Sequence, residues 1–237
     1  MAIIVISRGN FTRGKEVAEK TAAKLGYRCI SREILLEASE EFDIPEVKLI
    51  RSLDQVPSLL DRMSQKARKY VTYIQSALLH NLQQENVVYH GFAGHFFVKE
   101  NPHVVKVLVN SEMADRVSLV MERDGISEKQ ALAFIRKIDV LRKKWSLKLY
   151  GMDPEDPRHY DLVLSLNRLT VNDAADMICQ VSRLPQFVST SETKRAMDDL
   201  VLAADARTLL LGMKSDPEVW ARDGYLYVKK GRSDVTD

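Results

Sequence analysis

A segment near the N-terminus combines glycine and lysine at the spacing of a phosphate-binding loop. Residues 9–15 read Gly-Asn-Phe-Thr-Arg-Gly-Lys and match the pattern G-x-x-x-x-G-K. In such a loop, backbone N–H groups surround phosphate oxygens, the following helix adds its N-terminal dipole, and the lysine reaches the terminal phosphates. We therefore predict a nucleotide-phosphate site formed by Gly9, Thr12, Arg13, Gly14 and Lys15. An ordinary strand-to-helix turn is the alternative interpretation.

The residue after the loop lysine bears on metal binding. A serine or threonine that binds Mg²⁺ usually follows this lysine, and this chain has Glu16 there. Thr12 offers a hydroxyl that could substitute, and Mg²⁺ can also be held largely by water and substrate phosphates. No protein metal ligand is predicted on these grounds.

A second group of candidate residues lies in a basic segment in the middle of the chain. Between residues 136 and 148 the only acid is Asp139, and it lies among Arg136, Lys137, Arg142, Lys143, Lys144 and Lys148. On a helix, Arg136, Asp139 and Arg142 share one face. Phosphoryl transfer needs cations that close over the developing charge, which favours a basic lid. A solvated helix surface fits the composition equally well.

The elements that would position these residues follow an α/β order. Residues 2–7 form a strand candidate whose first five residues are all apolar, as in a parallel strand that is covered on both faces. Further strand candidates are 27–30, 86–89, 104–109 and 160–166, with helical periodicity between them. Ser127 and Gln130 fit a capping box for a helix that extends towards Tyr150. We expect a parallel sheet with helices on both faces.

Composition narrows the class of protein further. The chain has 237 residues, 45% of them apolar, 29% charged, and a net charge of +2, which argues against a nucleic-acid coat protein or an acidic disordered tail. Cys29 and Cys179 fit no metal or disulfide pattern. No run approaches the roughly 20 apolar residues that cross a bilayer, and the first residues lack a basic leader. We expect a cytoplasmic protein without membrane or nucleic-acid partners.

After the last predicted helix of this body, at 172–184, the chain changes character. Residues 185–191 form a polar linker, and a helix is predicted over 192–211. Two short strands then flank Asp223-Gly224, a dipeptide that is typical of hairpin turns. We expect this small helix-hairpin appendage, residues 192–237, to pack on the main body or on a second copy of the chain as a homodimer.

Several of these motifs together resemble the cytidylate kinase-like proteins over residues 2–183. The N-terminal match is Ser7-Arg8 after the first strand, followed by Gly14, Lys15 and Glu16. The Arg136-x-x-Asp139-x-x-Arg142 spacing resembles the lid motif, and Arg116 matches an arginine on the helix after the fourth strand. The segments 153–157 and 160–164 resemble the path from the lid to the last strand. The C-terminal appendage faintly resembles the first part of a BON domain.

The resemblance implies a three-layer P-loop fold with a five-stranded parallel sheet, a helical monophosphate-binding insertion and a lid at about 126–158, all within residues 1–184. It implies transfer of the γ-phosphoryl group of ATP, with Mg²⁺, to CMP or dCMP. By position, Gly14, Lys15, Glu16 and Arg116 would bind ATP, Arg136 and Arg142 would clamp the transferred group, and Asp139 would orient those arginines. Arg32 and His90 are candidates for binding the acceptor.

The chain also departs from the family pattern. Phe11 and Arg13 stand in a loop that is glycine-rich in the family, where a side chain at φ > 0 would be strained. His90-Gly91 stands where the family has Gly-Arg, and Ser31 where an aspartate is frequent. These departures leave two alternatives to an active kinase open. One is a catalytically degenerate nucleotide-binding regulator, and the other is an interaction protein whose basic helix faces nucleic acid or lipid phosphates.

Overall fold

The computed structural model describes residues 2–9, 12–31, 34, 38, 40, 42, 65–91, 94–98, 101, 103–211 and 217–229. These residues form two compact units. The first unit contains those of 1–31 and 85–188, and the second contains those of 32–55, 61–84 and 189–237. The candidate Arg32 lies outside the described residues.

The strands and helices in the described ranges are numbered here in chain order. The strands are β1 Ile3–Arg8, β2 Arg28–Ile30, β3 Val87–Gly91, β4 Val104–Asn110, β5 Leu162–Ser165, β6 Glu218–Arg222 and β7 Tyr225–Lys229. The helices are α1 Gly14–Leu25, α2 Gln65–Gln83, α3 Gly94–Phe97, α4 Met113–Asp124, α5 Glu128–Tyr150, α6 Val171–Val181 and α7 Ser191–Leu209.

The first unit is built on a five-stranded sheet in the order β2-β3-β1-β4-β5. Every neighbouring pair in it is parallel. The predicted five-stranded parallel sheet is therefore confirmed. The last strand is shorter than the predicted 160–166, because Tyr160 follows a short 3-10 helix and its side chain turns to other partners.

β1 is the central strand and has no solvent-facing side. Its residues Ile3 to Ile6 are completely buried, and Ile3 pairs with Val87 on one neighbour and with Val104 on the other. A strand that is covered on both faces requires apolar residues at every position. This explains why residues 2–6 read as one apolar run rather than as an alternating pattern.

Helices α1 and α6 cover one face of this sheet. Val17, Ala18 and Ala22 of α1 join Ala174 and Ile178 of α6 in the same buried cluster as alternate residues of β1 and β4. The small alanines let the helices approach the sheet closely. Lys24 of α1 also forms a 2.5 Å ion pair with Asp176 of α6.

Helices α4 and α5 form the part of the first unit that contains the predicted lid. They pack through a small separate cluster of Val117, Val120, Ala131 and Ile135. The predicted capping box of Ser127 and Gln130 is present at the start of α5. Gly125 and Gly151 end the two helices at φ 65° and 64°, a left-handed conformation that glycine adopts without steric cost.

The second unit consists, in its described part, of α2, α7 and the β6–β7 hairpin. Asp205 of α7 accepts hydrogen bonds from Ser76 at 2.8 Å and from His80 at 3.0 Å, both on α2. The predicted hairpin is confirmed, and Asp223 and Gly224 both have positive φ, 53° and 77°, as a two-residue turn requires. Asp199 of α7 accepts from the backbone N–H groups of both turn residues at 2.8 Å.

The C-terminal segment thus shares its unit with α2 instead of forming a unit by itself. Whether 1–184 and 192–237 act as separate domains stays a prediction, as does the BON-like character of the tail. No helix among the described residues has the length and apolar content that a bilayer-crossing helix needs.

The N-terminus of α6 allows a test of helix capping in the first unit. Thr170 accepts a hydrogen bond from the Asp173 N–H at 3.1 Å, and Asp173 accepts from the Thr170 N–H at 2.9 Å. Replacing Thr170 by Ala should lower the free energy of unfolding by about 1 kcal/mol, because helix N–H groups lose their partner. The measurement is urea denaturation followed by circular dichroism. Thr170→Ser keeps the hydroxyl and should stay within a few tenths of a kcal/mol, and equal losses in the two variants would refute the capping role.

Candidate functional site

A cleft opens at the carboxyl-terminal edge of the central strands of the first unit. The chain crosses from β3 on one side of β1 to β4 on the other side, and this change of direction leaves a crevice where open parallel sheets bind ligands. The cleft residues come from the ends of β1, β3 and β4, from the segment after β1, and from α3, α4, α5 and the segment before β5. They are Ser7, Gly9, Thr12, Gly91, His95, Leu108, Asn110, Ser111, Arg116, Asp139, Arg142, Lys143, Pro154, Glu155 and Tyr160.

The described part of the predicted phosphate loop forms one wall of the cleft. The Gly9 N–H donates to Val109 O at 3.0 Å, and a Cβ at Gly9 would lie 3.0 Å from Asn110 Oδ1. Thr12 Oγ1 donates to Gly9 O at 3.2 Å and accepts from the Gly14 N–H at 3.3 Å. The threonine hydroxyl therefore joins the loop entrance to the first residue of α1. Asn10 and Phe11 lie outside the described residues, and so does the expectation about strain at Phe11.

The backbone at Arg13 does not require glycine. Arg13 is the N-cap residue of α1 and has φ −76° and ψ 23°, which any residue adopts. The strain expected at this position from the glycine-rich family pattern does not arise, because φ is negative there. The Arg13 side chain is exposed.

Lys15 and Glu16 occupy the first turn of α1 and are both exposed. Lys15 Nζ lies 3.6 Å from Glu19 Oε1, one turn later on the same helix. The Lys15 ammonium therefore lies beside the loop, on the helix surface, and is not among the described residues that line the cleft. Glu16 is an acid at a helix N-terminus, where the dipole stabilises negative charge.

The predicted candidates Arg116 and Asp139 form an ion pair across the cleft wall. Arg116 donates from one terminal nitrogen to both Asp139 oxygens, at 2.7 and 2.9 Å. The two side chains are 12% and 22% exposed, so the pair is shielded from most of the solvent. It joins α4 to α5 and holds the guanidinium at the cleft surface.

The two arginines of the predicted lid motif differ in position. Arg142 is half-buried and lines the cleft, while Arg136 is exposed one and a half turns earlier on α5. Asp139 pairs with Arg116 of α4, a residue that the family resemblance placed near ATP but not beside Asp139. Sequence spacing could not show this contact because the two residues belong to different helices.

Lys143 supplies a third positive charge to the cleft. Its ammonium lies 2.6 Å from Asp153 Oδ2, and this hydrogen bond raises the pKa of Lys143. Burial alone would raise the pKa of Asp153, but the hydrogen bonds from Lys143 and from the Glu155 N–H outweigh it and hold that pKa below its usual value. The lysine is therefore fully charged at neutral pH and tied to the segment that follows α5.

A buried hydrogen-bonded chain closes the floor of the cleft. Ser7 Oγ lies 2.6 Å from His95 Nδ1, and His95 Nε2 lies 3.1 Å from Tyr160 Oη. Tyr160 donates its hydroxyl proton to Pro154 O at 2.6 Å. Since the tyrosine has one proton, its oxygen accepts from His95 Nε2–H, and His95 Nδ1 accepts the Ser7 hydroxyl proton.

This chain is the part of the site that sequence reasoning missed. The sequence gives no local signal for His95, because its partners lie 88 and 65 residues away. Burial lowers the pKa of His95 to about 3, and the charges of His159 and Lys106 act in the same direction. Burial also raises the pKa of Tyr160. Both groups are neutral at pH 7, so the chain fixes orientation and carries no charge.

Of the two candidates for acceptor binding, His90 is not among the residues that line the cleft. His90 is buried within β3, opposite Ile6 of β1. β3 contributes Gly91 to the cleft wall instead. Arg32 lies in the part of the chain that the structure does not describe.

The polar lining fits a phosphate-bearing ligand. Arg116, Arg142 and Lys143 supply positive charge, and Ser7, Asn110 and Ser111 supply hydrogen-bonding groups. The described residues contain no cluster of three or more acidic, histidine or cysteine side chains for a metal. A Mg²⁺ ion here would take its ligands mainly from substrate phosphates and water, which is common for this ion.

Comparison with known proteins agrees with this geometry. The model of the cytidylate kinase-like family matches residues 3–168. A cytidylate kinase of Ignicoccus hospitalis is 26% identical over 167 residues, which span 70% of this chain and 90% of that protein. A cytidylate kinase of Thermococcus kodakarensis is 32% identical over 80 residues, covering 34% of this chain and 40% of the relative.

A similar fold occurs in a solved structure. It is an uncharacterised protein from Eubacterium ventriosum, with a TM-score of 0.59 and 23% sequence identity. The match covers 76% of this chain and 97% of the other.

The low pKa of His95 gives the first unit a measurable pH dependence. An unfolded histidine takes up a proton near pH 6.5, whereas folded His95 does so only near pH 3. Between these values the unfolded state binds more protons, so stability falls as the pH is lowered. We expect the wild type to lose up to about 1.4 kcal/mol per pH unit from this residue between pH 6 and pH 4.

His95→Gln should lack that contribution. The difference in unfolding free energy between wild type and variant, from urea titrations at pH 4, 5, 6 and 7, should shrink steadily with falling pH. Other titrating groups are common to both proteins and cancel. A difference that is constant with pH would show that the pKa of His95 is the same in the folded and unfolded states.

Proposed function

This chain belongs to the cytidylate kinase-like family, and from that membership we propose that it is a nucleoside monophosphate kinase that transfers the γ-phosphoryl group of ATP to CMP or dCMP. The observation that carries the proposal is the cleft at the carboxyl edge of β1, β3 and β4. Three cationic side chains, Arg116, Arg142 and Lys143, line it from two helices. Such a cleft suits a ligand with several phosphate groups.

Phosphoryl transfer asks a protein mainly for positioning and for neutralisation of charge. In the proposed mechanism, the loop from Gly9 to Lys15 and the N-terminus of α1 bind the phosphates of ATP. Gly9 and Gly14 keep the backbone accessible, and Thr12 fixes their relative position through its two hydrogen bonds. Lys15, on the first turn of α1, would reach the terminal phosphates when its ammonium leaves Glu19.

Arg116 and Arg142 would stabilise the charge on the transferred group. Asp139 holds the Arg116 guanidinium in place before any ligand arrives, so little rearrangement is needed as charge develops. Lys143, tied to Asp153, would add positive charge on the same side. Arg136 stays a proposal for the same role, since the family motif assigns it there.

The acceptor site is proposed from the family alone. CMP or dCMP would occupy the side of the cleft nearest β3, with His90 and Arg32 as the candidates for contacts. Mg²⁺, when bound with ATP, would supply neutralisation of the phosphate charge. The Ser7–His95–Tyr160 chain would keep the cleft floor neutral and rigid.

A nucleotide-binding regulator without turnover is the second candidate. It is favoured by His90-Gly91, which stands where the family has Gly-Arg, so that the arginine which helps to hold the monophosphate is missing. The two functions differ in one observable. Both predict that ATP or CMP raises the melting temperature, and only the kinase releases ADP.

The direct test of the proposed reaction is a coupled assay of ADP release. We expect release that depends on ATP, Mg²⁺ and CMP together. Lys15→Ala should lower kcat/KM on the order of 100-fold or more, because a phosphate-binding charge is lost. Lys20→Ala, an exposed change on the same helix, should have no effect. Thermal stabilisation by nucleotide with no ADP release would select the regulator.

A second pair of variants tests the contribution of α5. Arg142→Ala removes a cation that lines the cleft and should lower kcat on the order of 100-fold. Lys137→Ala removes an exposed positive charge from the same helix outside the cleft, and its kcat should stay within about twofold of wild type. Equal losses in the two variants would mean that α5 acts only through its overall charge.

A further inference from the structure

The β6–β7 hairpin of the second unit exposes an apolar strand to solvent. All five residues of β7 are exposed, with Tyr225 at 71% and Val228 at 52%. On β6, by contrast, Val219 is buried. Trp220 and Tyr227 stack on each other on the outward face, with their ring centroids 5.6 Å apart. Two-stranded hairpins are only marginally stable by themselves, so this exposure calls for an explanation.

The hydrogen-bonding pattern of the hairpin shows which edge is available. A two-residue turn makes its flanking residues, Arg222 and Tyr225, a hydrogen-bonded pair. Pairs alternate along an antiparallel ladder, so Trp220–Tyr227 is hydrogen-bonded and Val219–Val228 is not. The N–H and C=O groups of Leu226 and Val228 therefore point away from β6.

The outer edge of β6 is already occupied by α7. Arg207 donates from Nε at 3.1 Å and from a terminal nitrogen at 2.5 Å to Val219 O. That carbonyl belongs to a pair that is not hydrogen-bonded within the hairpin, so it faces outward as the alternation requires. A further strand could not pair with β6 without displacing Arg207, so within the described part of the chain β7 is the edge where a strand can add.

The edge of β7 carries little protection against strand addition. Within residues 217–229 it has no proline and no bulge, and its one charged residue is Lys229, at the end of the strand. Proteins usually protect exposed edges with such features. The outward N–H and C=O groups of Leu226 and Val228 are also two residues apart along the strand. An antiparallel partner presents its own donors and acceptors at the same spacing.

We propose that β7 pairs antiparallel with β7 of a second copy of this chain, in the register that places Tyr227 opposite Tyr227. In this register Leu226 lies opposite Val228 of the second copy, so the outward N–H and C=O groups of both residues meet their complements. Tyr225 lies opposite Lys229 of the second copy, which brings a phenol ring beside an ammonium. Like charges never face each other across the two-fold axis.

The pairing joins two hairpins into one four-stranded antiparallel sheet. A sheet of three or more strands with an apolar face is stable where an isolated hairpin is marginal. Each copy contributes only the five-residue edge of β7, so the interface lies at the small end of specific contacts. The dimer should therefore form at micromolar concentrations. The proposal does not depend on the kinase reaction, so a negative result for kinase activity would leave it unchanged.

Sedimentation velocity of the full chain over a concentration series, about 5 to 500 µM, measures the association. We expect a concentration-dependent dimer. Tyr227→Glu places two carboxylates opposite each other and should raise the dissociation constant about fivefold or more. Tyr225→Glu, the same change on the same face, places its carboxylate opposite Lys229 and should leave the dimer intact. Circular dichroism melts confirm that both variants fold.

Cysteine cross-linking tests the register. Tyr227 would lie in a pair that is not hydrogen-bonded across the axis, with about 4.5 Å between its Cα atoms, within the range of a disulfide. Tyr227→Cys should therefore give covalent dimers under mild oxidation, whereas Tyr225→Cys should not, because its two copies lie about 13 Å apart along the strands. Wild type, with only Cys29 and Cys179, should stay uncross-linked. A monomer at every concentration, or equal cross-linking of the two variants, would overturn the proposal.

Discussion

The pairing of β1 with β3 on one side and β4 on the other is the constraint from which the site follows. Because the three strands are parallel and in register, their carboxyl ends meet at one edge of the sheet. Ser7, Gly91 and Asn110 arrive there from three distant parts of the chain. This central position requires the apolar sequence of β1, because a strand that is buried on both faces can carry polar residues only at its last positions.

Charge in the cleft is held by contacts made before any ligand is bound. Asp139 fixes Arg116, and Asp153 fixes Lys143, so the cations have positions that do not depend on the substrate. The floor of the cleft is neutral because burial keeps His95 and Tyr160 uncharged. Positive walls over a neutral floor focus the field on a polyphosphate chain more effectively than scattered surface charges would.

Much of this arrangement could be read from the sequence. Strand positions, helix ends at glycine, the capping box of Ser127 and the turn at Asp223-Gly224 depend on local rules, and the structure has them close to where those rules place them. The five-stranded parallel sheet follows from the alternation of strands and helices. Residue types and spacing also indicated Asp139 and Arg142 as site residues, and the family resemblance indicated Arg116.

Contacts between distant segments could not be read in the same way. The Arg116–Asp139 pair joins two helices, and Ser7, His95 and Tyr160 meet only because β1, α3 and the segment before β5 converge at the sheet edge. His95 carries no local pattern that distinguishes a buried hydrogen-bonding residue from a surface cap. The C-terminal segment lies beside α2 through the hydrogen bonds of Asp205. This position likewise depends on tertiary packing, which the hydrophobic periodicity of the sequence does not predict.

The central claim is that the cleft over β1, β3 and β4 binds both nucleotides of a phosphoryl transfer side by side. The most direct measurement is titration calorimetry of the full chain with a bisubstrate analogue, in which adenosine and cytidine are joined by a chain of phosphates. The account predicts saturable one-to-one binding that ATP and CMP each displace. The absence of binding with Mg²⁺ present, or binding that neither nucleotide displaces, would contradict it.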